Sequence, residues 1–251
     1  MSLPRFYISP SAWNPELPLL PPDEAKHCSQ VLRLVAGDEV ILFNGEGVEQ
    51  RATISSIGRR DVELQAGAVT ESRPLKCKIG LGQALPKGKN MELIIQKGTE
   101  LGVAEIRPVV TKNTIVRVDE KDGEKKREKW QRVAIEACKQ CGQNFLPKVH
   151  APAPLSEVLA SVTGSYDLLV IASLQPGAMT LKSLLGDYSA KRDGALPASV
   201  FILIGPEGDF TESEVAEALS AGAQPMTLGQ IILRTETAAI YCLSVLGHEL
   251  F

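Results

Sequence analysis

This sequence predicts an α/β protein in two parts: a small β-rich segment over residues 1–72, then a larger domain over 73–251 built on a parallel sheet. Three observations carry the prediction. The first seventy or so residues hold short, partly alternating apolar runs and an Asn44-Gly45 hairpin signal. Beyond TESRPL, near Thr70 to Leu75, strand-like runs alternate with helical patterns, an order that needs parallel strands covered on both faces. Two of those strands end in glycine-containing loops that lead into helices, where such sheets bind ligands.

Taken in order, RFYIS, DEVILFN, EQRATIS and DVELQAG are the N-terminal strands, interrupted by a short helix, PDEAKHCSQVL. Five or so strands closing on themselves would hide their edges, so a small barrel is expected. KIGLGQAL then leads into the helix NMELIIQKGTEL, with Asn90 as its cap and Gly102 closing it. AEIRPVV is the next strand, followed by the long helix EKKREKWQRVAIEACKQC. Helical spacing puts Trp130, Val133, Ala134, Ala137 and Cys141 on one face, and Gly142 and Pro147 end the helix. LLVIAS, SVFILI and PMTL are further strands, each followed by a helix, while LLGDYSAKRDGALPA reads as a loop.

Composition narrows the function classes. Hydrophobic content of 44% and charged content of 23% are those of an ordinary globular protein. No apolar run reaches membrane-spanning length and MSLPRFYISP lacks a signal pattern, so the expected location is the cytoplasm. Five cysteines argue against a disulfide framework. Cys138 and Cys141 form a CxxC late in a predicted helix and read as two buried helix-face thiols. With only His27, His150 and His248 available, no metal site is expected. The net charge of −3 is unevenly spread: residues 73–150 carry 17 Lys and Arg against 9 acids, whereas residues 151–251 carry 4 against 11. A basic middle between acidic flanks is a candidate polyanion surface; KDGEKKREKWQR alone is equally a solvated helix face.

The chemistry concentrates in two loops. FILIGPEGDFTESE breaks from a strand at Gly205-Pro206-Glu207-Gly208 and opens a helix through a Thr211–Glu214 capping box. PMTLGQIILRTETAAIYCLSVL repeats the order, with a helix capped near Thr235. Neither loop has dinucleotide or phosphate-loop spacing. Glu207 and Asp209 would repel a phosphate at that helix N-terminus, so the ligand is neutral or cationic there. S-adenosylmethionine, a sulfonium without phosphate, meets that demand, although GPEG alone is equally an ordinary strand-to-helix turn.

LPRFYI, HCSQVLRLVAGDEV, QALPKGKNMELIIQKGTELGV, EKWQRVAIEACKQCGQ, IGPEGDFTESE and LGQIILRTETA follow one another over nearly the whole chain. In that order the sequence resembles the bacterial 16S rRNA (uracil-N3)-methyltransferases of RsmE type, in the SPOUT superfamily. The resemblance implies a PUA-like N-terminal barrel that helps hold RNA. It also implies a dimeric SPOUT domain with a C-terminal trefoil knot, which physical priors on threading would never suggest. The implied partner is 16S rRNA of the small ribosomal subunit and the implied cofactor is S-adenosylmethionine.

By the same resemblance, Leu174, Ile204, Gly205, Pro206, Glu207, Gly208, Leu228, Gly229, Ile232, Leu233, Thr237 and Ala238 line the cofactor. Glu207 is implied either to hold ribose hydroxyls or the sulfonium, or to brace the turn through backbone amides. Arg234, one of four cations in the last 101 residues, is the candidate for pairing with an oxygen of the uracil anion. Glu236 is placed to orient Arg234 or to take the proton; a surface ion pair between the two is the plainer role. Arg5, Lys87, Lys89, Lys97, Lys126, Arg127 and Arg132 are the RNA candidates. The family pattern leads one to expect arginine at Asn113, Gln143 and Ile231, and glycine at Asp209. Those departures leave two alternatives: an RNA-binding module with a vestigial pocket, or a methyltransferase of this fold acting on another RNA site.

Overall fold

The computed structural model describes residues 3–58, 61–114, 120–173 and 177–251, and four N-terminal strands pair side by side in it. They are β1 (Arg5–Tyr7), β2 (Glu39–Phe43), β3 (Val48–Ile57) and β4 (Val62–Glu71), in that spatial order. β1 runs parallel to β2, and the β2–β3 and β3–β4 pairs are antiparallel. The β2–β3 turn is an Asx turn: Asn44 Oδ1 accepts hydrogen bonds from the Glu46 and Val48 amides. α1 (Pro22–Lys26) continues into a single π turn over His27–Val31. Phe6, Ile8, Leu20, Cys28, Val40, Leu42 and Ile54 bury their side chains in one cluster.

The chain divides into two compact units, one of residues 1–74 with 135–146, the other of 75–134 with 147–251. Within the first, Asn144 accepts from Arg5 and donates to Glu49 and Ser72. Lys139 is nearly buried between Glu24 and Glu136.

The second unit holds the predicted parallel sheet. β5 (Lys78–Ala84), β6 (Glu105–Val110), β7 (Lys148–Val149), β9 (Leu168–Ala172), β10 (Ser199–Ile204) and β11 (Gln224–Met226) lie in the order β11-β9-β10-β5-β6-β7. The short β8 (Ala153–Pro154) also pairs with β6, and every pairing is parallel. α2 (Asn90–Glu100), α3 (Glu120–Cys141, which from residue 135 belongs to the first unit), α4 (Leu155–Val162), α5 (Leu181–Ala190), α6 (Glu212–Ser220) and α7 (Thr235–Leu250) complete the elements. Alternation along β10 covers both faces. Phe201 and Leu203 pack with α4 and α6 residues Leu159, Val215 and Ala218, while Val200, Ile202 and Ile204 are buried on the opposite face. Truncating Phe201, fully buried, to alanine should cost about 3–5 kcal/mol.

Several expectations need correction. Asn90 is the first helical residue of α2, and Lys89 occupies the cap position without a side-chain bond; Gly102 does end the turn, at φ +80°. LLGDYSAKRDGALPA is helical through Ala190. Thr180 caps α5 by accepting from the Ser183 amide, and Leu181, Leu184 and Leu185 are buried at helical spacing that Gly186 and Asp187 obscure in the sequence. On α3 the buried stripe runs through Trp130, Ala134, Ala137 and Cys138, whereas Cys141 is exposed. Burial pushes the Cys138 thiol up to about 12, so it is an inert core side chain.

At the N-terminal edge of the second sheet lies a polar knot. Glu105, 7% exposed, accepts from Tyr166 Oη, His150 Nε2 (2.9 Å) and Arg107 Nε (2.8 Å) and pairs with Lys78 Nζ at 3.1 Å. Burial alone would raise its carboxyl. The hydrogen bonds from His150, Tyr166 and Lys78, with the Arg107 charge, outweigh that and hold it far below the usual carboxylate range. No helix among the described residues is long and apolar enough to cross a membrane, and none of their His, Cys, Asp and Glu side chains form a group of three able to hold a metal ion.

Candidate functional site

The opposite, C-terminal edge of the sheet carries a pocket of about 290 Å³. It is built where three parallel strands end. β9 contributes Ala172 and Ser173, β10 contributes Ile204 and the loop after it, and β11 leads to residues 228–234. The lining includes Ile204, Gly205, Pro206, Glu207, Leu228 and Gly229. It continues through Ile232, Leu233, Arg234 and Ala238, so ten of the expected residues meet around one cavity.

Local chemistry holds the first loop in shape. Asp209 adopts the left-handed conformation (φ +57°) and its Oδ1 accepts from the Phe210 amide at 2.8 Å. That backbone angle costs a non-glycine residue free energy, which accounts for glycine being the residue expected at this position. A Cβ on Gly205 would stand 2.9 Å from Asp209 Oδ1, so a side chain there would have to displace that carboxylate. The capping box forms as predicted: Thr211 Oγ1 accepts from the Glu214 amide and Glu214 Oε2 from the Thr211 amide. Glu214 Oε1 also accepts from the Lys112 amide at 2.8 Å. Beside it, Asn113 Nδ2 donates to the carbonyl oxygens of Gly208 (3.0 Å) and Asp209 (2.9 Å). Where arginine was expected, asparagine braces the loop. Glu207 Oε1 accepts from the Lys87 amide at 2.9 Å, a backbone amide of another loop and not of its own turn, and the residue also lines the pocket.

The second loop is tied to the first by Thr235. The structure places Arg234 at the cap position of α7 with no side-chain capping bond, and Thr235 is the first helical residue. Its hydroxyl faces inward, donating to Gly205 O at 2.7 Å and accepting from Gln83 Nε2 at 2.9 Å. Gln83, fully buried, also donates to Ala84 O, and its own Oε1 has no partner among the described residues. Thr235, Gln83 and Asn113 were missed as site residues. Nothing in their local pattern separates them from helix-end, strand and loop residues.

Electrostatically the pocket suits a cation or a neutral ring system. Its ionic lining is Glu207, Asp209 and the single guanidinium of Arg234; apart from the hydroxyl residues Ser173 and Thr235, the rest is aliphatic or backbone. No ion pair joins Arg234 to Glu236, so the guanidinium is uncommitted among the described residues. Glu236 and Thr237 lie in the first turn of α7 outside the lining, Gly208 sits against Asn113 instead, and Leu174 falls outside the described residues.

A family model described as an RNA methyltransferase domain matches residues 73–247, and an RNA methyltransferase PUA domain model matches residues 20–66. This chain belongs to the RNA methyltransferase family. Within that family it is 33% identical to the ribosomal RNA small subunit methyltransferase E of Bacillus subtilis, over 90% of this chain and 88% of that one. A methyltransferase of Legionella pneumophila solved with its cofactor SAM is 35% identical with a TM-score of 0.88, covering 99% of this chain and 98% of the other. The ribosomal RNA small subunit methyltransferase E of Neisseria gonorrhoeae, solved with S-adenosyl methionine, is 30% identical with a TM-score of 0.85 over the same shares.

As an RNA methyltransferase, the chain is expected to present cations to nucleic acid, and the candidates divide. Arg5 is committed internally: its side chain is 9% exposed, bonds Glu49 at 2.9 Å and Asn144, and lies over the Phe43 ring. That corrects its assignment to RNA, because the guanidinium already has buried partners. Lys97 is held by both oxygens of Glu100, and Arg127 by Glu124. Lys87, Lys89 and Arg132 are exposed and Lys126 is half-buried. Gln143 accepts from the Phe145 amide at 3.3 Å, and Ile231 lines the pocket mouth 77% exposed.

Proposed function

We propose that this protein methylates a uridine of small-subunit ribosomal RNA at N3, using S-adenosylmethionine. One observation carries the reading: two strand-end loops, joined through Thr235 and Gly205, surround a pocket whose anionic lining faces a single uncommitted arginine. The residues present fit the cofactor. Ile204, Leu228, Ile232 and Leu233 supply apolar contact for an adenine, backbone groups of Gly205 and Gly229 can reach its edge, and Glu207 and Asp209 suit a positive sulfur. When bound, the cofactor supplies an electrophilic methyl on sulfonium. The chain's task is to hold a uracil whose N3 is deprotonated, and the guanidinium of Arg234 stabilises the negative charge on the neighbouring oxygen. Glu236, in the first turn of α7 and outside the pocket lining, is the candidate to orient Arg234 or to receive the proton through water.

The same reading extends to the whole molecule. The match to an RNA methyltransferase PUA domain supports the N-terminal sheet as a PUA-like barrel over residues 1–72. The RNA methyltransferase domain match over 73–247 and the parallel sheet support residues 73–251 as a SPOUT domain, and a final segment threading a trefoil knot is part of the same proposal. A homodimer acting on 16S rRNA in the cytoplasm completes it. Mass mapping of small-subunit rRNA from a deletion strain tests the function. Loss of one methyluridine, restored by the gene, is expected; an unchanged methylation map refutes it. Ile231 and Gln143, where cations were expected, favour one variant of this reading, the same chemistry on a different uridine, and the same map identifies which.

A further inference from the structure

A second cavity, of about 180 Å³, opens beside residues 86–89. Leu85, Met91 and Trp130 give it an apolar wall, and Lys89, Lys126, Lys129 and Glu92 bring charge to it. Trp130 is 6% exposed, so this cavity is where its indole meets solvent. The cavity begins where β5 ends, at the same edge of the sheet as the methylation pocket. One hydrogen bond links the two: Glu207 of the pocket accepts from the amide of Lys87, in the loop whose neighbours Pro86, Gly88 and Lys89 line the cavity.

The charges are not equivalent. Lys129 is held by Glu92 at 2.6 Å, whereas Lys89 and Lys126 have no ion-pair partner among the described residues. An anion is therefore drawn to the Lys89 and Lys126 side, while on the other flank the Glu92–Lys129 pair is neutral and the second carboxylate oxygen of Glu92 offers an acceptor. A slot with an aromatic wall, two free ammonium groups on one flank and an acceptor on the other has the chemistry of a nucleotide. The base goes in the slot, its phosphate on the lysines, and a donor of its edge meets the carboxylate. The size suits one ring system.

We propose that this cavity receives a nucleobase of the substrate RNA next to the one being modified, with its phosphate on Lys89 and Lys126. The inference rests on the RNA methyltransferase reading of the neighbouring pocket. It assigns Trp130 a positioning role: the flanking base, once seated, registers the strand so that the target base reaches Arg234.

A Trp13→Phe protein leaves Trp130 as the sole tryptophan of the two in the sequence. Titrated with a short single-stranded oligoribonucleotide of mixed sequence, its emission should be quenched. An abasic ribose-phosphate oligomer of equal length should leave the emission unchanged and bind about tenfold more weakly. Lys89→Ala with Lys126→Ala should remove the quenching and reduce the slope of log K against log salt by about 1.4. Trp130→Phe should raise KM for RNA several-fold with kcat retained, which a merely structural tryptophan would not do. Equal affinity for the two oligomers, or emission indifferent to the base-bearing one, overturns the proposal. Calorimetry with S-adenosylmethionine on the same samples separates the two readings. Binding heat with a failed base test leaves the methyltransferase standing without the cavity, and absent heat refutes the methyltransferase reading whatever the base test returns.

Discussion

The hydroxyl of Thr235 donates a 2.7 Å hydrogen bond to the carbonyl oxygen of Gly205. The two residues belong to different strand-end loops, and Gln83 completes the link by donating to the same hydroxyl. A buried hydroxyl that donates once and accepts once holds both walls of the pocket at a set separation.

Replacing Thr235 by valine keeps the shape, removes the hydroxyl that bonds Gly205 O and leaves Gln83 Nε2 with Ala84 O alone, at a cost of about 1–3 kcal/mol. S-adenosylmethionine affinity measured by calorimetry should weaken about tenfold. Thr235→Ser should recover most of it. An unchanged dissociation constant in the valine protein would show that the tie does not shape the pocket.

Arg234→Ala should separate binding from chemistry. The guanidinium sits at the pocket rim, while apolar and backbone groups form most of the lining. Cofactor affinity should hold within about twofold, and methyl transfer to small ribosomal subunits should fall by about 10²–10³. Full turnover in the variant removes Arg234 from the mechanism.

Asn113→Ala deletes two hydrogen bonds to the carbonyls of Gly208 and Asp209. Those oxygens are near solvent, so the loss should be about 1 kcal/mol, or about 2–4 °C in Tm. Cofactor affinity should drop several-fold, because Asp209 holds a left-handed backbone angle that the brace supports. A variant identical to the parent in both melting and calorimetry contradicts the bracing role.

The Glu105 knot makes stability pH-dependent in a stated direction. Its folded carboxyl titrates far below the unfolded value of about 4.3, so below neutrality the unfolded chain binds the proton first. The stabilisation is complete above about pH 5 and declines as pH falls from there toward the folded value. Glu105→Gln should cost about 3 kcal/mol at pH 7, the low end for breaking a buried pair because Lys78 remains half exposed. Urea denaturation at pH 7 and pH 4 should show a smaller difference in the variant than in the parent; equal differences would exclude Glu105 as the titrating group.

Much of this molecule was legible in its residues. The capping box at Thr211–Glu214 formed as written, because its partners are three residues apart and their geometry is local. The alternation of β5, α2, β6 and α3 followed from periodicity. Local patterns misled where a weak helix former interrupts a good stripe, as at Gly186 in α5. They misled again where a cation was valued for its charge alone: Arg5 looks like any exposed arginine until Glu49 and Asn144 are brought to it from distant segments.

What the sequence by itself determined is the element order and the two loops that carry the pocket. Turn residues, caps and hydrophobic periods act within a few positions and need no fold to express them. The tertiary structure alone decided which polar atoms meet. Thr235 faces Gly205, Asn113 holds the carbonyls after Glu207, and Trp130 walls a basic cavity, and each of these pairings joins residues far apart in the chain. Hydrogen bonds and charges act over a few ångströms of space, and no spacing along a single chain can state which of its distant groups will come that close.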